Sequence, residues 1–237
     1  MKKIFMIGDS TMQFNNAYSY PQTGWGQVLP IFTKPEYQII DLAKNGRSTK
    51  SFIDEGRFKE IEEHLQKGDF IICQFGHNDE KDDPLRHTDP NGSYLENLAY
   101  FAATAKEKGA HIVFATSISR RSFKNGVCQD THKGYPQAMK KWCEENNYTC
   151  IDLNTLTLNL YNELGEEATK KFHVIFPANT YTNYPEGKTD NSHLLYEGAH
   201  MVSELFVSAL AKTNDPLKNC FLDLDNKEEI DWKMLID

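Results

Sequence analysis

Residues 2–10 read KKIFMIGDS, a run of four apolar residues followed at once by Gly8, Asp9 and Ser10. A short, continuous apolar run bounded by a turn is typical of a strand that is buried on both faces. Glycine, aspartate and serine are also what most turns prefer, because glycine tolerates positive φ and short polar side chains hydrogen-bond to nearby backbone. A catalytic interpretation of Ser10 therefore needs support from the rest of the chain.

Four more apolar runs of strand length recur along the chain. We predict strands over Lys3–Ile7, Gln38–Leu42, Asp69–Phe75, His111–Thr116 and Thr149–Leu153. Helical patterns lie between and after these strands. One predicted helix starts at a capping box of Ser51 and Asp54 and has Phe58, Ile61 and Leu65 on one face, although Gly56 weakens the pattern. Three further helices are predicted over Tyr94–Lys108, Pro136–Asn146 and Tyr196–Lys212. Alternating strands and helices predict an α/β fold with a parallel sheet between two helical layers. Periodicity alone leaves the strand order open.

The 237 residues suit one domain of this class, which we predict over residues 1–213, followed by an acidic tail over 214–237. A net charge of −8 argues against nucleic acid and anionic membranes as partners, because both require a basic face. Five cysteines without metal-type spacing, and an N-terminus too short for an export signal, favour a cytoplasmic protein with reduced thiols. We predict no metal and no cofactor, and make no prediction of oligomeric state.

Polar residues follow every predicted strand except the last, at the sheet edge where parallel α/β proteins place their sites. They are Gly8–Ser10, Asn45–Ser48, Gly76–Asp79 and Ser117–Arg121, joined by Asp190–His193 before the final helix. A serine nucleophile needs a base, an acid that orients the base, and donors aimed at the developing oxyanion. Asp190 and His193 stand three residues apart at an expected helix entrance, so one turn brings them together near Ser10. The amide N–H groups of Ser10 and Gly46 and the Asn78 side chain are the expected oxyanion donors.

GDS at 8–10, Asn45-Gly46, GHND at 76–79 and DNSH at 190–193 together resemble the four blocks of the SGNH, or GDSL-type, hydrolases. The stretches GWGQ (24–27), NGRSTKSFIDEGR (45–57), QFGHND (74–79) and SISRRSF (117–123) are similar to the rhamnogalacturonan acetylesterase branch, over residues 3–212. The resemblance implies a flavodoxin-like three-layer α/β/α sandwich with strand order 2-1-3-4-5. It implies Ser10 as nucleophile, His193 as base, Asp190 as its orienting acid, and Gly46 and Asn78 in the oxyanion hole.

The same resemblance implies a serine esterase that removes O-acetyl groups from pectin-derived rhamnogalacturonan oligosaccharides. Galacturonate is anionic, so the candidate binding residues include Arg47, Arg120 and Arg121 in the edge loops. Trp25 is a candidate stacking surface for a sugar, and His77, beside Asn78 in the third block, is a further candidate substrate-binding residue. We therefore expect an acetylated oligosaccharide as the partner of this edge.

Three alternatives remain open at this stage. The first is an acetylxylan or general short-chain carbohydrate esterase, and the second is a carbohydrate-binding protein without catalysis. The third is a two-metal phosphoesterase, because six residues are suitable ligands for hard metals. Those residues are Asp9, His77, Asp79, Asp190, His193 and His200. The Asp-x-His block that usually opens such a site is missing after the first strand, which disfavours the third alternative.

Overall fold

A computed structural model describes residues 2–225 and shows an α/β fold built on one parallel sheet. The strands, in chain order, are β1 (Lys2–Gly8), β2 (Tyr37–Asp41), β3 (Phe70–Gln74), β4 (His111–Ala115), β5 (Phe123–Lys124), β6 (Val127–Cys128), β7 (Cys150–Ile151), β8 (His173–Phe176) and β9 (Lys188–Leu194). The central sheet has the order β2-β1-β3-β4-β7 with all neighbours parallel, which confirms the order 2-1-3-4-5. Two antiparallel ribbons, β5–β6 and β8–β9, stand outside it.

Helices cover both faces of the sheet. They are α1 (Trp25–Val28), α2 (Thr49–Asp54), α3 (Arg57–His64), α4 (Ser93–Glu107), α5 (Tyr135–Glu145), α6 (Leu153–Ala168) and α7 (Tyr196–Ala211), with 3-10 turns at Leu29–Phe32, Thr169–Phe172 and Pro216–Cys220. Side chains alternate along β1, so Ile4 and Met6 enter a core beneath α1 and α7, whereas Phe5 and Ile7 enter a core beneath α2 to α5. The predicted three-layer sandwich is confirmed. Across residues 2–225, every helix is too short or too polar to cross a lipid bilayer.

The helix predicted to start at Ser51 is two helices. Gly56 has φ +73° and separates α2 from α3, because a left-handed residue cannot continue a right-handed helix. The capping box is formed by Ser48 and Ser51, whose hydroxyls each accept a hydrogen bond from the other's backbone N–H, at 3.1 and 2.9 Å. The predicted box of Ser51 and Asp54 is wrong, and Asp54 instead pairs with Lys50 at 2.8 Å.

The fifth central strand ends earlier than predicted and leads into an unpredicted helix. Strand β7 has two residues, and Leu153, expected in the strand, is the first residue of α6. The Asp152 side chain caps this helix by accepting a hydrogen bond from the Thr155 N–H at 3.2 Å. Helix α6 carries threonines and asparagines and contains Gly165 at φ +81°, so its helical periodicity is weak in the sequence.

The first part of the predicted tail packs against the domain. Leu217, Cys220 and Phe221 are buried in the core beneath α7. Asp215 accepts a hydrogen bond from the His111 ring at 2.9 Å, which ties this segment to β4. Residues 226–237, the rest of the predicted tail, lie outside the described residues.

Asp41 at the end of β2 makes stability depend on pH. Its Oδ1 accepts a hydrogen bond from the Ala43 N–H at 3.0 Å, whereas its Oδ2 is buried without a partner among residues 2–225. Burial raises the pKa of this carboxyl to about 7. Since the unfolded carboxyl titrates near ~3.9, the folded chain holds the extra proton between those values, and its stability falls as pH rises through that window.

We expect Asp41→Asn to remove this contribution because the amide does not ionise. The free energy of unfolding of the variant should rise relative to the wild type as pH increases from 4.5 to 7.5. Urea denaturation of both proteins across this range measures the difference. A difference that is constant with pH would contradict the raised pKa of Asp41.

Candidate active site

Ser10 lies on the first turn after β1, at the carboxyl edge of the sheet, and is only 7% exposed. The preceding Asp9 shapes this turn, because its Oδ1 accepts hydrogen bonds from the Thr11 N–H at 3.0 Å and the Thr11 hydroxyl at 2.9 Å. Burial raises the pKa of Asp9, and its Oδ2 has no partner within residues 2–225. Asp9 therefore serves the geometry of the turn on which the Ser10 hydroxyl lies.

A buried chain of hydrogen bonds supports the turn from below. The Gln74 amide donates to the Thr11 hydroxyl at 3.0 Å, and its carbonyl accepts from the Trp25 ring N–H at 2.5 Å. The Trp25 ring is fully buried and packs against Phe206 with ring centroids 5.2 Å apart. The prediction that Trp25 stacks on a sugar is wrong, because no face of the ring reaches the surface.

His193 and Asp190 come from β9 rather than from a helix entrance, since α7 begins only at Tyr196. Val174 pairs with Asp190, but the preceding His173 pairs with Leu194, so three residues bulge out of the ladder. A bulge of this kind turns side chains away from the direction that regular pairing would give them. Here it directs the imidazole toward the turn after β1.

The bulge completes a hydrogen-bonded chain of three side chains. His193 Nε2 lies 2.9 Å from Ser10 Oγ, and His193 Nδ1 lies 2.7 Å from Asp190 Oδ2. The other carboxylate oxygen, Oδ1, accepts hydrogen bonds from the Ser192 and His193 N–H groups at 2.9 and 3.1 Å. Ser10, His193 and Asp190, predicted from distant parts of the sequence, are thus in direct contact.

Asp190 is held in its ionised form. Burial alone favours the neutral carboxyl, but the hydrogen bonds and charge of His193, helped by the Ser192 N–H, outweigh it and lower the pKa of Asp190 well below its ordinary value. An ionised Asp190 accepts a hydrogen bond from the Nδ1–H group, and in that tautomer the neutral ring presents the lone pair of Nε2 to Ser10. This is the arrangement that a general base requires.

The expected oxyanion donors come from three separate loops beside Ser10. Gly46 has φ +77°, and no atom lies within 4 Å of where its Cβ would stand, so the left-handed backbone rather than crowding requires glycine. Within residues 2–225, the N–H groups of Ser10 and Gly46 donate to no acceptor. The Asn78 amide donates to the Arg47 carbonyl at 3.1 Å, which leaves it one further N–H.

The buried carboxylate of Asp79 fastens the second and third of these loops together. Its Oδ1 accepts hydrogen bonds from the Thr49 N–H at 3.0 Å, the Thr49 hydroxyl at 2.5 Å and the Thr88 hydroxyl at 3.1 Å. Burial raises the pKa of Asp79 to about 7 although these hydrogen bonds oppose the shift. The contact sets the spacing between the Gly46 and Asn78 donors.

The arginines predicted to bind the substrate form ion pairs and hydrogen bonds with other residues of the protein. Arg47 pairs with Glu55 at 3.1 Å and Arg120 pairs with Glu80 at 2.5 Å. Arg121 is only 6% exposed, and its guanidinium donates to the Asn191 side chain at 3.1 Å, inside the β9 bulge. Arg120 and Arg121 still line a cavity of about 460 Å³ together with Lys81, Ser122, Thr131, Glu166 and Asn191.

A second histidine chain, which the sequence reasoning missed, supports the third loop. His77 Nδ1 lies 3.1 Å from His132 Nε2, and His132 Nδ1 lies 3.1 Å from Asp130 Oδ1. Burial lowers the pKa of His77 well below its ordinary value, and its Nε2 has no partner within residues 2–225. The only sequence signal was Asp130-Thr131-His132 after β6, which is also a common turn sequence.

The ligands considered for a two-metal site are dispersed. His200 lies on α7 beside Phe32 and Glu204, while Asp9 and Asp79 bind threonines. In the described part of the chain, no group of three or more His, Cys, Asp or Glu side chains is placed to hold a metal ion.

Comparison with known proteins gives a consistent picture. The profile of the GDSL-like Lipase/Acylhydrolase family matches residues 6–198. The chain is 40% identical over 234 residues to the rhamnogalacturonan acetylesterase RhgT of Bacillus subtilis, covering 97% of this chain and 100% of RhgT. It is 26% identical over 230 residues to a rhamnogalacturonan acetylesterase of Emericella nidulans, covering 87% of this chain and 84% of that protein.

Two solved structures share the fold. One is the protein YxiM of Bacillus subtilis, with a TM-score of 0.74 and 25% identity, covering 88% of this chain and 56% of that chain. The other is the acetylxylan esterase Axe2 of Geobacillus stearothermophilus, with a TM-score of 0.63 and 14% identity, covering 90% of this chain and 95% of that chain.

We predict that the hydrogen bonds joining Trp25, Gln74 and Thr11 beneath Ser10 contribute to stability. Gln74→Met keeps the approximate volume but leaves the buried Trp25 N–H without an acceptor, while the Thr11 hydroxyl keeps its hydrogen bond to Asp9, and the loss should cost about 1–3 kcal/mol of unfolding free energy. Urea denaturation followed by circular dichroism measures the loss. In a Trp25→Phe background the same substitution should cost less, and an equal cost in both backgrounds would contradict the contact.

Proposed function

The chain belongs to the GDSL-like lipase/acylhydrolase family, and on that premise we propose that it is a serine esterase that removes O-acetyl groups from pectin-derived rhamnogalacturonan oligosaccharides. Ser10 is the proposed nucleophile, His193 the base and Asp190 the orienting acid. The observation that carries the proposal is the 2.9 Å contact between Ser10 Oγ and His193 Nε2, with Asp190 on the opposite ring nitrogen.

In the first half of the proposed reaction, His193 Nε2 takes the proton of Ser10 Oγ as the oxygen attacks the acetyl carbonyl carbon. The carbonyl oxygen becomes an oxyanion, and Asp190 stabilises the imidazolium that forms. When the tetrahedral intermediate collapses, the bond to the sugar oxygen breaks and His193 gives its proton to that oxygen. The deacetylated sugar leaves, and the acetyl group remains bonded to Ser10.

In the second half, a water molecule gives its proton to His193 and attacks the acetyl-serine carbonyl. Collapse of this intermediate releases acetic acid, which ionises to acetate in solution, and His193 returns its proton to Ser10 Oγ, so the enzyme is regenerated. The Ser10 and Gly46 N–H groups and the free N–H of Asn78 are the proposed donors to both oxyanions. Each such donor contributes about 3 kcal/mol in enzymes where it has been removed.

Three observations support a polar carbohydrate as the leaving group. The relatives RhgT and the Emericella nidulans enzyme are named as rhamnogalacturonan acetylesterases. The cavity next to Asn191 carries Lys81, Arg120 and Arg121, and the carboxylates against them are Glu166 in the lining and Glu80, the ion-pair partner of Arg120, which leaves one cation in excess. This local excess of positive charge suits a uronate in a protein whose net charge is −8.

We also propose that the enzyme works in a reducing compartment. All five cysteines are free thiols, and only Cys150 among them is more than slightly exposed. Cell fractionation with an antibody against the native protein tests the expected cytoplasmic location.

We expect Ser10→Ala to fold normally and to lose at least ~10³-fold in kcat, because only substrate binding and the oxyanion donors remain. Asp190→Asn should also lower kcat strongly, by up to ~10⁴-fold, because the amide favours the wrong imidazole tautomer. Acetate release from an acetylated rhamnogalacturonan oligosaccharide, with Ser208→Ala on α7 as the control, measures both effects.

Retained turnover in Ser10→Ala would exclude the serine mechanism. If that activity were also lost on dialysis against EDTA and regained with Mn²⁺, the metal phosphoesterase would be the better explanation. Activity on acetyl-xylooligosaccharides, but not on rhamnogalacturonan fragments, would retain the esterase and overturn the proposed substrate.

Asn78→Ala tests the proposed oxyanion hole separately. The substitution removes one donor to the transition state, so kcat should fall about 10²- to 10³-fold. Because Asn78 also holds the Arg47 carbonyl, circular dichroism and the KM for substrate should be measured on the same preparation. A change in KM with kcat unaltered would contradict the assignment, since a donor to the oxyanion acts on kcat.

A further inference from the structure

A polar pocket lies where the loop after Ser10 meets the tip of the β8–β9 hairpin. The Asn183 side chain donates hydrogen bonds to the Ala17 carbonyl at 2.7 Å and the Tyr20 carbonyl at 2.8 Å. The Tyr20 ring also meets Tyr181 edge to face, with ring centroids 5.6 Å apart. These contacts join the segment that carries the proposed nucleophile to the segment that carries the proposed base.

The two segments enclose a cavity of about 330 Å³, which we call the amide pocket. Its lining is Asn15, Asn16, Ala17, Tyr20, Gln22, Thr23, Gln27, Thr182 and Asn183. No residue in this set carries a charge, although a quarter of the chain is charged. The lining therefore suits a neutral ligand rather than an ionic one.

Several polar groups of the amide pocket make no hydrogen bond to other residues among 2–225. Gln27 and Asn183 each use one end of their amide on the protein, so that Gln27 Nε2 and Asn183 Oδ1 remain without a partner within residues 2–225. Both ends of the Gln22 amide are unpartnered over the same range. Donors and acceptors are thus present together, and a sugar hydroxyl both donates and accepts.

The amide pocket also has an aromatic surface. Tyr20 lines the pocket and is 59% exposed, although the Tyr181 ring packs against it edge to face. A held aromatic ring beside unpaired amides offers an apolar face for the C–H groups of a pyranose and hydrogen bonds for its hydroxyls.

The amide pocket is fixed relative to the triad. The Thr23 N–H donates to the Leu194 carbonyl at 2.9 Å, and Leu194 directly follows His193. The Trp25 N–H donates to the Thr11 carbonyl at 2.9 Å, and Thr11 directly follows Ser10. A ligand in the amide pocket is therefore held in a constant position with respect to Ser10.

We propose that the amide pocket binds an uncharged sugar residue of the same oligosaccharide whose acetyl group is cleaved at Ser10. This assignment rests on the proposed esterase function and adds the site that recognises the chain beyond the acetylated residue. The cavity beside Asn191 accepts the charged residues, and the amide pocket, on the hairpin side of the triad, accepts a neutral one.

Two substitutions test the proposal against a matched control. Gln22→Ala and Tyr20→Ala should each raise KM for acetylated oligosaccharides by about 2- to 10-fold with kcat unchanged, as expected for the loss of contacts that the substrate makes throughout the reaction. Neither should alter kcat/KM for 4-nitrophenyl acetate, which is too small to reach the pocket. Tyr18→Ala is the control, because Tyr18 is 90% exposed in the same loop and does not line the pocket.

Binding without catalysis separates this inference from the esterase proposal. Calorimetric titration of Ser10→Ala with saponified rhamnogalacturonan oligosaccharides should give weaker binding once Gln22→Ala is added. Equal affinity of the two proteins, or equal KM in the catalytic assay, would overturn the pocket assignment whether or not the chain is an esterase. An equal loss of activity on 4-nitrophenyl acetate and on oligosaccharides would also overturn it, because it would indicate damage to the loop.

Discussion

The buried carboxylate of Asp79 is the contact on which the arrangement of the active-site loops depends. It draws in the first residues of α2 through Thr49 and the segment after the third loop through Thr88, so two loops from different strands share one anchor. A buried carboxylate is unfavourable unless it is hydrogen-bonded, and three donors on one oxygen offset part of that cost. The raised pKa of Asp79 reflects the part that remains. The Gly46 and Asn78 groups consequently stand at a fixed separation before any ligand arrives.

The sheet and the three side chains of the proposed triad could be predicted from the sequence, because both depend on local patterns. Apolar runs mark strands buried on both faces, and the residues after each run meet at one edge wherever the strands are parallel. Ser10 could be found for that reason, whereas Asp190 and His193 were found from their three-residue spacing before the final helix. The strand order followed only from the resemblance to a family, since crossovers leave no trace in periodicity.

The errors have physical causes that single residues illustrate. Trp25 lies in a loop-like sequence, yet the Gln74 side chain, distant in the sequence, accepts its ring N–H and keeps it inside. The β9 bulge is set by pairing with β8, and nothing local in residues 190–193 distinguishes a bulged strand from a helix entrance. His132 is recognisable as part of a chain only through its contact with His77, which is 55 residues away in the sequence, so the chain of histidines could be seen only in the structure.

The β8–β9 ribbon separates two tasks along its length. Regular pairing of Val174 to Phe176 with Lys188 to Asp190 stands between the bulge at the base and the loop of residues 177–187 at the tip. We expect insertions or deletions in that loop to leave the geometry of the bulge unchanged, because the paired segment between them keeps its register. Under the proposed assignments the ribbon is an exchange point, at which loop substitution or grafting changes the proposed sugar contacts at the tip and leaves the proposed base at the bulge in place.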